Sequence, residues 1–360
     1  MKSKFLFVLA LVLALCACSN DGAGKTNSEK AEKKIRIAHL VNGYLGDKSF
    51  HDSANLGLSD LADENKSIEF KSVEMTDDTS KHEKTLMEYC EDGTWDIIVV
   101  GTWQMIEPLK NASEKYPDQK FILYDDKMDY SDGKYKNIYS ITYKQNEGSF
   151  LAGYIATKLA ENTENRKIGF LGGMITPVIN DFLVGYSAGR DYANPEVSLN
   201  VAFINDFFDA ALGKQMANSQ YDGGVEVGFS PAALAGMGQV EASLEKGKYM
   251  IGIDSDQYAL FGEEKGKYIV TSVLKNVGNS LKRAIDLYSK GELPFGSSES
   301  LGLKEDAVGI VKNENYKKIV PADVQNEIEE VEKKIKSGEI KVPSAFDMSE
   351  DEVKEIIEKN

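Results

Sequence analysis

The stretch IRIAHLVNGYLGDKSFHDSANLGLSDLADEN, residues 35–65, contains the unit from which the fold follows. It opens with a short apolar run and continues through a glycine-containing loop. Phe50, Ala54, Leu58 and Leu61 then recur at helical spacing. An apolar strand that leads into an amphipathic helix is typical of a parallel sheet covered by helices on both faces. The stretch therefore predicts an α/β protein.

The same unit recurs along the chain. Eleven candidate strands begin at Ile35, Phe70, Asp96, Lys120, Ile138, Lys167, Leu199, Val225, Tyr249, Tyr268 and Ala307. This number suits two sheets better than one, and the units change over near Tyr139–Gln145. We expect two Rossmann-like lobes with a cleft between them, in which ligands meet the carboxyl ends of the strands.

The amino terminus reads as an export signal. Lys2 and Lys4 precede the apolar run Phe5–Leu15, which is too short to span a bilayer as a helix. The following Leu-Cys-Ala-Cys resembles a lipobox, so we predict a signal peptide at 1–17, acylation (palmitate) of Cys18 and a flexible tether at 18–34. An ordinary secreted protein cleaved nearby is the alternative. Cys90 would then be the remaining thiol, packed as a small apolar residue.

Composition and motifs exclude several function classes. The formal net charge of −16 disfavours binding to nucleic acid. The three histidines, His39, His51 and His82, do not have metal-ligand spacing, and no nucleophile elbow or complete dinucleotide fingerprint is present. We therefore predict a protein that is not an enzyme and uses no cofactor or metal.

Aromatic and acidic residues gather where strands lead into helices. The aromatic ones are Phe50, Trp103, Phe207, Phe208 and Phe229, and the acidic ones are Asp47, Asp125 and Asp254. Each aromatic residue alone is more often part of the core than a wall of a ligand site. Together in one cleft they suit a flat ring ligand, and carboxylates accept hydrogen bonds from hydroxyl or ring N–H groups.

Several motifs, in order, resemble the basic membrane protein family, which comprises lipoproteins that act as substrate-binding components of ABC transporters. The motifs are GDKSF (46–50), FLAGYIA (150–156), GFLGG (169–173), IGIDSDQ (251–257) and TSVLKNVG (271–278). The best-understood branch of this family binds purine nucleosides. The resemblance implies a type I periplasmic-binding fold with three crossovers, an extracytoplasmic lipid-anchored monomer, and permease and ATPase partners. It also implies a nucleoside ligand such as guanosine, inosine or adenosine.

The resemblance also implies boundaries. Lobe 1 would comprise 35–142 with 273–298, and lobe 2 would comprise 143–272 with 299–346. Residues 347–360 would form a helical tail, where Ser349 and Glu352 have the spacing of a capping box.

Site roles follow from the motifs. Phe50 would stack on the base, Asp125 would bind the base edge, and Asp254 would accept from the ribose hydroxyls beside Lys275. We expect Phe229 rather than Phe208 as the second stacking wall, and Gly236 to allow close approach of the backbone to the sugar. The full predicted ligand-binding set is Asp47, Ser49, Phe50, His51, Trp103, Asp125, Phe208, Phe229, Gly236, Asp254 and Lys275.

The chain departs from the family pattern at positions expected to touch the ligand. Val41 and Asn42 stand where an aspartate is usual, His51 replaces asparagine, and AALAG (232–236) replaces a glycine-rich run. Two alternatives therefore stay open. One is a surface interaction protein such as an adhesin, and the other is a receptor for a sugar or another small ring metabolite.

Overall fold

The computed structural model describes residues 34–359. Within this range the strands are β1 Ile35–Val41, β2 Ile68–Glu74, β3 Ile97–Gly101, β4 Lys120–Tyr124, β5 Ile138–Tyr143, β6 Lys167–Gly172, β7 Ser198–Phe203, β8 Val227–Phe229, β9 Tyr249–Asp254, β10 Ile269–Lys275, β11 Ser297–Leu301 and β12 Val308–Ile310. The predicted signal peptide, Cys18 and almost all of the predicted tether lie outside the described residues.

Helices alternate with these strands. They are α1 Phe50–Glu64, α2 Thr79–Asp92, α3 Ile106–Lys115, α4 Gln145–Ala160, α5 Pro177–Ala193, α6 Ala210–Asp222, α7 Ala233–Lys246, α8 Gln257–Gly266, α9 Val277–Ser289, α10 Glu314–Ile319, α11 Ala322–Ser337 and α12 Glu350–Glu358. Within residues 34–359, no helix combines the length and apolar character that crossing a membrane requires.

The strands form two six-stranded sheets. The first has the order β11-β5-β4-β3-β1-β2, with every pair parallel. The second has the order β12-β10-β9-β8-β6-β7, in which only β12 is antiparallel to its neighbour. The α/β fold with two largely parallel sheets is therefore confirmed. We call the first sheet with α1–α3 and α9 the first lobe, and the second sheet with the remaining helices the second lobe.

Each sheet is buried on both faces because alternate residues of its strands point to opposite sides. In the first sheet Ile37 and Val99 belong to one apolar cluster, while Ala38 and Val100 belong to another. Cys90 packs in the second of these clusters, where burial raises the pKa of its thiol to about 12, so it is an apolar packing residue.

In the described part of the chain, the backbone crosses between the sheets three times. The first crossover lies between β5 and α4, the second between β10 and α9, and the third between β11 and β12. Backbone bonds tie them together, from Lys144 N to the Leu301 carbonyl (2.8 Å) and from Asn276 N to the Ala307 carbonyl (2.8 Å). Two of the predicted boundaries between the lobes, 272/273 and 298/299, fall inside β10 and β11. The exact limits of the lobes stay a prediction.

The parallel pair α4 and α5 packs closely in the second lobe. A Cβ on Gly153 would lie 2.1 Å from the Tyr186 carbonyl oxygen, and one on Gly185 would lie 2.2 Å from the Asn146 carbonyl oxygen. These distances leave no room for any side chain, so the two helix backbones are in direct contact. The amino-terminal turns of both helices are thereby held at the first crossover.

The carboxyl-terminal helices follow the sequence pattern. In α11, Val324, Ile328, Val331 and Ile335 are buried. Ser349 and Glu352 form the predicted capping box of α12.

Candidate functional site

A cleft opens between the lobes at the carboxyl ends of the strands. It encloses about 870 Å³, part of it open to solvent. The first lobe contributes residues that follow β1, β3 and β4. The second lobe contributes residues that follow β6, β7 and β8 and residues that end β9 and β10. This is the edge at which ligands bind in open parallel sheets.

The backbone is strained where strands end at this cleft. Thr102, Asp125 and Asp254 have φ values of +70°, +67° and +62°, a region that residues other than glycine rarely adopt. Thr102 is β-branched, so its conformation is especially unfavourable. Strain of this kind is concentrated at functional sites, and here it occurs in residues that line the cleft.

A buried ion pair lies across the back of the cleft. The Lys275 ammonium is 2.6 Å from Asp125 Oδ1, and the two side chains are 3% and 10% exposed. The same ammonium lies 5.4 Å from the centre of the Phe50 ring and 5.1 Å from that of Phe182. Burial raises the pKa of Asp125, and the charge of Lys275 opposes that rise.

Asp254 lies on the second lobe and meets the first lobe directly. Ser49 Oγ, immediately before α1, donates a hydrogen bond to Asp254 Oδ2. Burial raises the pKa of Asp254 to about 7, although Lys275 and the Ser49 hydroxyl both act to lower it. Within the described residues Asp254 Oδ1 and Asp125 Oδ2 have no hydrogen-bond partner, so both can accept from a ligand.

Asp47 is engaged mainly with its own chain. Its carboxylate accepts from the backbone N–H groups of Ser49 (3.0 Å), His51 (2.9 Å) and Asp52 (3.1 Å). These are donors of the first turn of α1 that have no partner within the helix. Asp47 therefore fixes the start of the helix that carries Phe50.

Phe50 and His51 begin α1 side by side. The Phe50 ring is 9% exposed and lies 5.4 Å from the ring of Tyr124 and 5.2 Å from the ring of His51. Burial lowers the pKa of His51, against the opposing charges of Asp47 and other carboxylates. The imidazole is therefore neutral at pH 7, and its Nδ1 is buried without a partner in the described structure.

Comparison with known proteins agrees with this geometry. Residues 34–345 match the profile of the family described as ABC transporter substrate-binding protein, PnrA-like. This chain belongs to that family. It is 32% identical over 340 residues to Basic membrane protein A2 of Borrelia garinii subsp. bavariensis, covering 93% of this chain and 96% of the relative. It is 30% identical over 356 residues to the CD4+ T-cell-stimulating antigen of Listeria innocua, covering 94% and 96%.

A solved structure gives the same result for the fold. The solute-binding protein of an ABC transporter system from Aeropyrum pernix K1 superposes with a TM-score of 0.79 at 27% identity. The match covers 90% of this chain and 97% of that one. The resemblance to the basic membrane protein family is thus confirmed. The PnrA-like family consists of extracytoplasmic binding proteins for small molecules, which work with ABC permeases and are not enzymes.

The structure of this PnrA-like protein brings most of the predicted residues into one cleft. The cleft is lined by Asp47, Phe50, His51, Trp103, Asp125, Phe208, Asp254 and Lys275. Ser49 does not line the cleft, but its hydroxyl donates a hydrogen bond to Asp254, which does. Within residues 34–359, no group of three or more His, Cys, Asp or Glu side chains is arranged to hold a metal ion.

Two predicted residues lie elsewhere. Phe229 is fully buried in the core of the second lobe, with its ring 5.2 Å from that of Tyr186 and 5.8 Å from that of Phe170. The preference for Phe229 over Phe208 as a cleft wall is therefore wrong. Gly236 is buried in α7, where a Cβ would come 2.9 Å from the Ser230 carbonyl oxygen. It does not line the cleft, so its close contact is with the protein's own backbone.

Other residues of the lining are absent from the predicted set. Tyr44, Gln104 and Phe182 all contribute to the cleft. Phe182 lies in the second turn of α5, beyond the loop that the strand-end rule singles out. Asn42 Nδ2 donates to Thr102 Oγ1 (2.8 Å), which joins the loops after β1 and β3. The departure from the family pattern at Asn42 is the one feature of the sequence that could have indicated its contact with Thr102.

The loop between β1 and α1 also reaches the second lobe at the cleft mouth. The Tyr44 ring meets the Phe208 ring edge-on, with centroids 5.7 Å apart. Lys48 Nζ donates to the Leu260 carbonyl (3.3 Å) and lies 5.6 Å from the Phe261 ring. With the bond from Ser49 to Asp254, this one loop makes three separate connections between the lobes.

Proposed function

We propose that this protein is a lipid-anchored receptor of an ABC importer, that it binds a purine nucleoside between its lobes, and that it passes the nucleoside to the permease. The observation that carries the ligand class is the combination of aromatic walls with free carboxylate oxygens. Within residues 34–359, six aromatic side chains line the cleft, namely Tyr44, Phe50, Trp103, Phe182, Phe207 and Phe208. Asp125 Oδ2 and Asp254 Oδ1 are the free acceptors beside them.

Each part of a nucleoside has a counterpart in this lining. A flat base suits the aromatic walls, because stacking contributes roughly 1–3 kcal/mol per base. The ribose hydroxyls suit Asp254, since two hydroxyls donating to one carboxylate form charge-assisted hydrogen bonds. Ring N–H or amino groups suit Asp125. These assignments agree with those that the family resemblance implies.

The charges favour a nucleoside over a nucleotide. Lys275 is the one basic side chain in the described cleft lining, and it is already paired with Asp125. His51 is neutral, and Asp47, Asp125 and Asp254 supply negative charge. A 5′-phosphate would enter this environment without a free cation and would be repelled.

Calorimetry on the purified protein tests the proposal with guanosine, inosine, adenosine, their 5′-monophosphates and free ribose. We expect saturable binding of at least one nucleoside, at least 100-fold weaker binding of its monophosphate, and no detectable binding of ribose. Phe50→Ala and Asp254→Ala should each weaken binding. Absence of both heat and thermal shift with every nucleoside would refute the purine assignment. Tight binding of ribose alone would favour the sugar receptor.

The lipid anchor has its own test, because Cys18 lies outside the described residues. Cys18→Ser should release the chain from the membrane fraction of the producing cell, whereas Cys16→Ser should leave it there. Membrane attachment that survives Cys18→Ser would contradict acylation at this cysteine. The adhesin alternative requires a partner whose binding is unchanged by Phe50→Ala and Asp254→Ala.

A further inference from the structure

The segment after α11 returns across the first crossover. Asn146, in the first turn of α4, donates from Nδ2 to the carbonyl oxygens of Val342 (3.3 Å) and Pro343 (3.0 Å). The next two residues bind α5, where Ser344 Oγ (2.7 Å) and Ala345 N (2.9 Å) both donate to Asp181 Oδ1. We call Val342–Ala345 the strap. It lies far along the sequence from the first crossover but is bound to the helical turn that follows this crossover.

Asp181 is the group on which these connections converge. Its side chain is fully buried, and its second oxygen accepts from Gln145 Nε2 at 2.7 Å. Gln145 is the first residue of α4, two positions after β5 ends, so this bond attaches Asp181 to the first crossover. Burial raises the pKa of Asp181 to about 6, and the Ser344 hydroxyl and the Ala345 amide favour the ionised form at neutral pH.

Asp181 also lies on the cleft-forming part of α5. The next residue, Phe182, lines the cleft and has its ring 5.1 Å from the Lys275 ammonium. Val178 and Ile179, in the preceding turn, line the cleft as well. One turn further along α5, Gly185 packs directly on the backbone of Asn146. A shift of Asp181 relative to α4 therefore moves the wall of the cleft.

We infer that Asp181 is a positioning residue for the binding site. It clamps the strap and the first turn of α4, beside the first crossover, onto α5, and thereby holds Phe182 in place against Lys275 for the ligand. Asp181 does not line the cleft itself and acts through α5. The affinity part of this inference rests on the proposed function, whereas the clamp itself does not.

A matched pair of serine substitutions separates the clamp from general effects at the carboxyl terminus. Ser344→Ala removes one donor to Asp181, while Ser349→Ala removes the cap of α12 a few residues further on. For the full chain we expect Ser344→Ala to weaken binding of guanosine, inosine or adenosine roughly fivefold. Ser349→Ala should leave the dissociation constant within about twofold of the unsubstituted value. Equal effects of the two substitutions on affinity would overturn the inference.

A rescue experiment identifies the bond at the crossover. Asp181→Asn replaces the charged acceptor of the Gln145 bond by a neutral amide, and the Gln145 amide must turn to present Oε1, which has no partner in the described structure. We expect roughly tenfold weaker binding. The double variant Asp181→Asn with Gln145→Glu restores a charged acceptor to the pair, now at position 145, and we expect affinity within about twofold of the unsubstituted protein. A purely structural loss would not be reversed by adding a second substitution, so failure of the rescue in a folded double variant counts against the clamp.

Hydrogen exchange without ligand decides the inference even if no nucleoside binds. The Ala345 amide is protected by Asp181. Asp181→Asn should accelerate exchange in the strap and in the first two turns of α5, and the Gln145→Glu partner should slow it again. If the unsubstituted protein binds no nucleoside, the proposed function fails while this measurement still tests the clamp. Unchanged exchange in the strap would refute it.

Discussion

Lys275 Nζ and Asp125 Oδ1 form a 2.6 Å ion pair in which both side chains are almost fully buried, although 150 residues separate them in sequence. Lys275 ends β10 of the second sheet, and Asp125 follows β4 of the first. The pair therefore connects the lobes as well as lining the cleft. A buried charge that loses its partner is far more costly than an exposed one.

Removal of this partner should strongly destabilise the fold. Lys275→Met leaves Asp125 buried and unpaired, and we expect a loss of about 3–5 kcal/mol in the free energy of unfolding at pH 7. The loss should shrink at pH 5, because an unpaired Asp125 then takes up a proton.

Lys290→Met is the matched control in urea unfolding. It breaks an exposed pair with Asp286, in which each side chain is 55% exposed, and should cost less than about 1 kcal/mol. Similar losses for the two lysines would show that Asp125 is not effectively buried.

Asp254 should make the ligand-free protein less stable as pH rises. Its pKa is about 7 in the folded protein and 3.8 as the ordinary value, so between these pH values the folded state holds the proton more tightly. Its contribution to stability is therefore largest below pH 4 and lost through pH 7. Asp254→Asn should stabilise the protein by roughly 2–4 kcal/mol at pH 8 and by much less at pH 5. Thermal unfolding at both pH values checks this, and a stabilisation independent of pH would contradict it.

The same group should make ligand binding depend on pH. Hydroxyl donors bind the ionised carboxylate, so ligand and proton compete for Asp254. With a pKa of about 7, the dissociation constant for a nucleoside should increase about tenfold from pH 8 to pH 6. Calorimetry in two buffers of different ionisation enthalpy should detect proton release at pH 7. Proton uptake instead of release would argue against a carboxylate acceptor.

Phe208 and Phe229 should respond in opposite ways to truncation. Phe229→Ala creates a cavity in the core and should cost about 3–5 kcal/mol of folding stability. Phe208→Ala removes a cleft wall and should cost little stability. If Phe208 stacks on the base, the substitution should weaken binding by roughly 1–3 kcal/mol. Denaturant unfolding and calorimetry on both variants separate the two effects. Unchanged nucleoside affinity in Phe208→Ala would show that the ligand does not stack on this side chain.

Trp103 offers a direct optical signal for the ligand. The chain has two tryptophans, of which Trp103 is 49% exposed in the cleft lining and Trp95 is 8% exposed in the core of the first lobe. A bound purine should change the fluorescence of Trp103. The change should disappear in Trp103→Phe and persist in Trp95→Phe. A signal that depends on Trp95 would place the ligand outside this cleft.

The sequence allows the prediction of elements with a strong hydrophobic period. Strands such as Ile35–Val41 and helices such as α1 are almost where their patterns place them, because both are buried in the expected way. β11 is different. Its residues Ser-Ser-Glu-Ser-Leu have little apolar character, because it is an edge strand that pairs only with β5. The pairing of β11 with β5 depends on the geometry of the crossovers, so no local sequence pattern predicts it.

Prediction of the site from the sequence is limited in the same way. The strand-end rule finds the loops of the cleft, but it does not fix which way a side chain points. Phe229 is the last residue of β8 and its side chain points into the core. Phe208 lies in the loop after β7 and its side chain points into the cleft. Asp181 carries no local signal at all. Two of its partners, Ser344 and Ala345, lie 163 and 164 residues further along the chain.

The outer strands of the two sheets determine how copies of this protein behave when they are crowded side by side. A long, apolar, open edge would let neighbouring molecules join strand to strand. The first sheet ends in polar β11 and in β2, which carries Glu69 and Lys71. The second ends in the three-residue β12 and in β7, where Ser198 and Asn200 are exposed. These edges protect the protein against aggregation at high local density.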